Sequence, residues 1–125
     1  MCGIGGMLGQ PDRAVLVRMN SLMNHRGPDG DGLFLDDSCG LAHTRLAILD
    51  IIGSPQPIYG PSKVAVVNGE IYNYQNLKNN MYQYTTNGDS EVILSLHAGK
   101  GNASSHAKWI SQLDGMFAFA LWSEG

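Results

Sequence analysis

A cysteine at position 2, followed at once by the small residues Gly3, Ile4, Gly5 and Gly6, is the first place in this sequence where residue type and position point to chemistry. Removal of Met1 would leave the thiol and a free α-amine on one residue, and an α-amine has a pKa near 8. A nucleophile and a general base would then coexist without a separate histidine. A thiolate attacking an amide carbonyl generates an oxyanion, which needs two donors aimed at it. Asn68-Gly69 offers a side-chain amide beside a backbone N–H that no side chain covers. Arg45, at the end of the run LAHTR, has the planar fork that grips a carboxylate through two parallel hydrogen bonds. Asp89 can balance an ammonium group. Gly3 and Gly5 would let a substrate lie close to the first segment.

Each feature has a plainer reading. A cysteine in second place is most often incidental. Asn-Gly is the favoured two-residue hairpin turn, and as a lone dipeptide it reads as one. An arginine in isolation is a surface ion pair, and an aspartate after a glycine is a helix N-cap. Together the four features suit one ligand, glutamine: a nucleophile and an oxyanion pair for its amide, a cation for its carboxylate and an anion for its ammonium.

These residues must be carried by regular elements, and the apolar pattern says which. Residues 3–8 read as a strand. Pro11 and Asp12 open a helix whose Leu16, Met19, Leu22 and Met23 recur at helical spacing and should face a core. The run HRGPDGDG (25–32) reads as a shaped loop. Strands are expected at 33–36 and 39–44 about a turn at Asp36-Asp37-Ser38, and residues 45–62 begin extended and become a proline-rich loop. VAVVN (64–68) is a β-branched strand meeting the Asn-Gly signal. A short helix follows from Asn73 to Asn80, with Asn73 as its cap. Asp89-Ser90 should cap a helix bearing Val92, Ile93, Leu96 and His97, closed by Gly99 and Gly101. Residues 103–112 read as another helix, and MFAFALW (116–122) as a strand buried on both faces. The pattern is mixed α and β.

Bulk properties exclude several classes. With 125 residues, 43% hydrophobic and 15% charged, the chain suits one packed domain and not a disordered one. A net charge of −3 without basic clusters gives nucleic acid or an anionic membrane little to bind. No apolar run reaches membrane-spanning length and no export signal is present, so a cytoplasmic setting is expected. Cys2 and Cys39 form no C-x-x-C pair, and His25, His43, His97 and His106 have no metal-ligand spacing, so neither a metal nor another cofactor is expected. Cys39 reads as a small buried hydrophobe.

The ordered motifs CGIGG, HRGPDG, HTRLAILD, VNGEIYNY, GDSEVIL and LDGMFAFALW resemble the glutaminase domain of asparagine synthetases, within the class II, N-terminal-nucleophile glutamine amidotransferases. RLAILD and NGEIYNY resemble the asparagine synthetase branch more than its relatives. The resemblance implies an α+β fold, the N-terminal-nucleophile hydrolase αββα sandwich, truncated at its C-terminus. Residues 1–125 would be a partial glutaminase domain, without the R-D-x-x-G-x-x-P-L-Y segment that follows in the family and without the ATP-using synthetase domain. It implies hydrolysis of L-glutamine to glutamate and ammonia through a thioester, with the ammonia passed to a partner synthetase. Cys2 matches the nucleophile, Asn68 and Gly69 the oxyanion hole, and Arg45 the holder of the α-carboxylate. Glu70 and Asp89 match positions holding the α-amino group, and Ile48 lies in the segment whose backbone lines the glutamine pocket. His25, Arg26, Gly27 and Asp29 would shape a loop over the site. Ser54 and Pro55 depart from the family's usual glycine and variable residue before Gln56-Pro57. Two other readings stay open: a glutamine-binding or regulatory module without turnover, and an inactive fragment whose open sheet edges promote self-association. Assembly into a homo-oligomer also stays open.

Overall fold

A computed structural model describes residues 1–47, 55–99 and 106–123. Its elements run β1 (Gly3–Leu8), α1 (Arg13–Met23), β2 (Gly30–Leu35), β3 (Cys39–Arg45), β4 (Ile58–Gly60), β5 (Lys63–Ile71), α2 (Tyr74–Leu77), α3 (Val92–Ala98), α4 (His106–Ile110) and β6 (Gly115–Ser123). The strands form two antiparallel sheets of three, ordered β1-β3-β2 and β4-β5-β6. The chain is therefore mixed α and β, as its pattern indicates.

Alternation along the strands sorts side chains into layers. On β3, Cys39 and Leu41 meet Val64 and Val66 of β5 in the apolar layer between the sheets, with Ile4 of β1 alongside. The residues between them face the other way. A side chain at Gly40 would run into Leu16 of α1, and Thr44 donates its hydroxyl to the Met23 carbonyl at the end of that helix. Val67 and Ile71 of β5 point to the opposite side and pack on Val92, Ile93 and Trp109 of α3 and α4. Helix α1 thus covers one sheet and α3 with α4 the other. Asp12 caps α1 by accepting from the amides of Ala14 and Val15.

Several elements differ from the sequence reading for identifiable reasons. Asn68-Gly69 is no hairpin turn: β5 runs through it to Ile71 and pairs Asn68 with Ala118 and Gly69 with Phe117 of β6. Gly69 has φ +137°, and a side chain there would collide with the Met116 carbonyl. Glycine is required at this point by close strand approach. Gly3 and Gly5 make room for helix α1 and not for substrate, because side chains there would press on Met23 and Met19. Leu22 is 65% exposed, and the buried positions of α1 are Leu16 and Asn20, whose side chain donates to the Gly32 carbonyl.

Asn73 precedes a helix of one turn but makes no cap bond; its side chain instead bridges to the Gln112 carbonyl and the Asp114 amide, tying α2 to the start of β6. Strand β2 starts at Gly30, inside the expected loop, and β4 forms within the proline-rich stretch. β6 is not buried on both faces, since Met116 is 60% exposed and Ala118 is also exposed. Gly101 and the first residues of the expected 103–112 helix lie outside the described residues; the described helix is His106–Ile110.

The layering makes a contrast in stability. Ile93, fully buried against β5, should cost about 2–5 kcal/mol on truncation to alanine. Leu22→Ala should change stability by no more than about 0.5 kcal/mol. Urea unfolding of the two variants measures both, and equal losses would mean that α1 presents a different face.

Candidate active site

A cavity of about 140 Å³ opens where one end of the inter-sheet layer meets the loop before α3. Its lining includes Cys2, Arg45, Gly69, Glu70 and Asp89, drawn from four separate sequence motifs, with Gln56, Thr86 and Met1 beside them. Strand alternation explains the convergence. Cys2 shares the parity of Ile4, and Arg45 that of Cys39 and Leu41, so both belong to the face turned toward the second sheet. Gly3 pairs with Thr44, which places Cys2 next to the end of β3.

The Cys2 thiol is half-buried, and its Sγ accepts from the Leu46 amide at 3.3 Å. Arg26 donates Nε to the Cys2 carbonyl at 3.0 Å, so the HRGPDG segment holds the backbone of Cys2. Asp29 accepts from the Ala47 amide and donates its own amide to the Arg45 carbonyl. Gly27 packs so tightly on the Thr44–Arg45 peptide that any side chain would collide with it. His25 is exposed. Met1 precedes Cys2 in the structure, so the Cys2 nitrogen is an amide here, and Met1 lines part of the cavity.

Asp89 is buried and does not cap α3. Its Oδ2 accepts from the Ile71 amide at 2.6 Å, joining the cavity loop to the end of β5. The N-cap position belongs to Glu91, whose buried carboxylate turns back to accept from the amides of Thr85 and Thr86 and from the Thr86 hydroxyl. That carboxylate organises the loop that brings Thr86, Gly88 and Asp89 to the cavity. A buried carboxylate is held only where donors surround it, as here. Glu91 was not legible as a site-shaping residue, because in sequence it is one acid in a helix-start motif.

Asn68 does not contribute to the cavity lining. It is half-buried, and among the described residues no donor reaches its buried Oδ1. Ile48 lies outside the described residues. Among those described, no cluster of three or more histidine, cysteine, aspartate or glutamate side chains is arranged to hold a metal. Cys39, 1% exposed, is in the core as expected.

Two further residues escaped the sequence reading. His43 is fully buried between the sheets, and its Nε2 lies 2.9 Å from the Val67 carbonyl. Gln56 bonds the same residue twice, accepting from the Val67 amide at 2.7 Å and donating to the Val67 carbonyl at 3.2 Å. Only the position of His43 in the alternating pattern, two residues from Leu41 and two from Arg45, signals that it faces the second sheet. Burial pushes the His43 pKa from its usual 6.5 down to about 4; the nearby Arg45 charge acts in the same direction, against the bond to Val67.

The consequence for stability has a definite sign. His43 is neutral in the folded protein well below the pH at which the unfolded chain takes up its proton. Its contribution is complete above about pH 6.5 and is lost as pH falls toward 4, by roughly 3 kcal/mol in all. Urea titrations at several pH values should show that this acid-side slope is smaller in His43→Gln. Identical slopes would show that His43 is not the group responsible.

Comparison with known proteins gives a consistent picture. The family model described as a glutamine amidotransferase domain matches residues 1–125. The chain is 42% identical over 132 residues to the glutamine-hydrolyzing asparagine synthetase B of Escherichia coli (strain K12), covering 98% of this chain and 23% of that protein. It is 42% identical over 130 residues to the glutamine-hydrolyzing asparagine synthetase 3 of Arabidopsis thaliana, covering 97% of this chain and 22% of the other. For the glutamine-hydrolyzing asparagine synthetase of Zea mays the identity is 39% over 130 residues, with 97% and 21% covered. The chain spans less than a quarter of the length of these relatives.

Proposed function

The chain belongs to the glutamine amidotransferase domain family, of the asparagine synthetase type, and from that premise we propose that it hydrolyses L-glutamine to glutamate and ammonia through a γ-glutamyl thioester on Cys2. The observation that carries this reading is the convergence of Cys2, Arg45, Gly69, Glu70 and Asp89 on one cavity. Removal of Met1 gives Cys2 a basic amine and widens the cavity beside its thiol. The amine takes the thiol proton as sulfur attacks the side-chain carbonyl of glutamine. The oxyanion accepts from the Asn68 amide and the Gly69 N–H. The C–N bond then breaks, the leaving nitrogen takes up a proton and departs as ammonia, and water hydrolyses the thioester to glutamate.

Arg45 holds the α-carboxylate, Glu70 and Asp89 hold the α-ammonium, and the backbone at Ile48 lines the pocket. The ammonia passes to a synthetase domain or protein of asparagine synthetase type. We read residues 1–125 as a glutaminase domain, and its helix and sheet layers as the αββα arrangement of N-terminal-nucleophile hydrolases. A cytoplasmic setting fits this chemistry; among the described residues no helix is long and apolar enough to cross a membrane.

A second reading follows from Met1 itself. With Met1 retained, the Cys2 nitrogen is not basic, and the pocket would bind glutamine without turnover. Kinetics and calorimetry on the unsubstituted chain as produced in cells separate the two: ammonia release supports the first reading, and glutamine binding without ammonia release the second. Cys2→Ala should release no ammonia yet still bind glutamine. Arg45→Lys should raise KM on the order of tenfold to a hundredfold with kcat little changed, since it loses charge-assisted bonds to a ground-state carboxylate. Ammonia release by Cys2→Ala at the unsubstituted rate, or an unmoved KM in Arg45→Lys, would contradict these assignments.

A further inference from the structure

Strand β4 stops pairing with β5 at Ile58, which lies opposite Ala65. Carried on in register, residue 56 would face Val67, and it is the side chain of Gln56 that occupies this place. Its amide oxygen accepts from the Val67 N–H and its amide nitrogen donates to the Val67 C=O, as a strand's own peptide groups would. The Val67 carbonyl has a second lone pair, and the His43 ring nitrogen reaches it from the other sheet at 2.9 Å. A carbonyl can only accept, so His43 carries its proton on Nε2. Burial keeps the ring neutral, and among the described residues Nδ1 has no partner. The whole geometry of His43 therefore turns on one bond to one peptide.

That peptide adjoins the residues read above as the oxyanion donors. Val67 presents its N–H and C=O to the β4 edge. In an antiparallel strand the N–H of Gly69 falls on that same edge, where β4 has ended and Gly69 lines the cavity. Asn68 Oδ1 has no donor among the described residues, so that end of the amide takes its position from the backbone.

We propose that His43 is a positioning residue of the glutamine-hydrolysing site: with the Gln56 side chain it grips the Val67 peptide across the two sheets and so fixes where Asn68 and Gly69 present their donors. The inference rests on the assignment of those donors. Its action is felt after substrate is bound, when the oxyanion forms, through the donors of Asn68 and Gly69.

The test uses the mature full chain in three forms: unsubstituted, His43→Leu and His43→Gln, whose longer amide still reaches the Val67 carbonyl. His43→Leu should lower kcat for glutamine at least tenfold with KM within twofold, and His43→Gln should restore most of kcat. Amide hydrogen exchange at Val67 and Asn68 should quicken about tenfold in His43→Leu and stay near the original rate in His43→Gln. The exchange measurement does not depend on turnover, so the clamp is tested even if the chain releases no ammonia. Should His43→Leu fail to fold, His43→Asn replaces it, since the shorter amide cannot span the gap. Unchanged kcat, a loss that His43→Gln does not restore, or exchange at these amides unaffected by the substitutions would each overturn the inference. Absence of turnover in the unsubstituted chain with the exchange pattern intact would instead overturn only the catalytic reading.

Discussion

The site rests on a constraint of parity, the strict alternation of side chains along β1, β3 and β5. Cys2 and Ile4, then Leu41, His43 and Arg45, occupy the face of one sheet that meets the other, while Gly3, Gly5, Gly40 and Thr44 meet helix α1. A slip of β1 by one residue against β3 would send Cys2 and Ile4 into the helix layer and bring Gly3 and Gly5 to the face of the cavity. The glycines guard against that slip, since the space beside Gly3 and Gly40 is already filled by Met23, Thr44 and Leu16. Packing of an ordinary apolar core brings the cavity-lining side chains together.

Polar groups around this core, some buried and some exposed, then refine the placement. Two loops line the cavity and a third holds the backbone of Cys2 and Ala47 beside it, and each is fastened by side chains bonding to backbone. Asp29 and Arg26 secure the segment before β2, Gln56 the segment before β4, and Glu91 with Asp89 the segment before α3. Such bonds matter most when one partner is removed, because the group left behind is desolvated and unsatisfied. Loops carrying chemistry need this fastening, since they lack the repeating ladder that holds a strand.

Much of this was legible in the residues and some was not. The strands at 3–8 and 39–44, helix α1 with its Asp12 cap and helix α3 follow from local periodicity. Cys2, Arg45, Gly69, Glu70 and Asp89 were named from sequence and meet at one cavity. The Asn68-Gly69 pair misled because its local preference is for a turn, whereas pairing with β6 keeps it extended; the neighbouring strand decides, and it lies some fifty residues further along the chain. Asp89 misled for a similar reason, its carboxylate being drawn to the Ile71 amide and away from the helix that follows. His43 and Gln56 were illegible because their partner is the backbone of Val67 on another strand, and Glu91 because it turns back to the Thr85 and Thr86 amides; a backbone amide leaves no mark in a residue pattern.

The proposed hydrolysis requires a terminal thiol and its own amine to act on the amide of glutamine. Intact-mass spectrometry of the chain produced in cells, before and after incubation with a glutamine-mimicking electrophile, bears on it most directly. The expected result is a polypeptide lacking Met1 that gains a single adduct, mapped to Cys2 and prevented by excess glutamine, with buried Cys39 untouched. A chain that keeps Met1, or one that gains its adduct elsewhere while glutamine offers no protection, would contradict it.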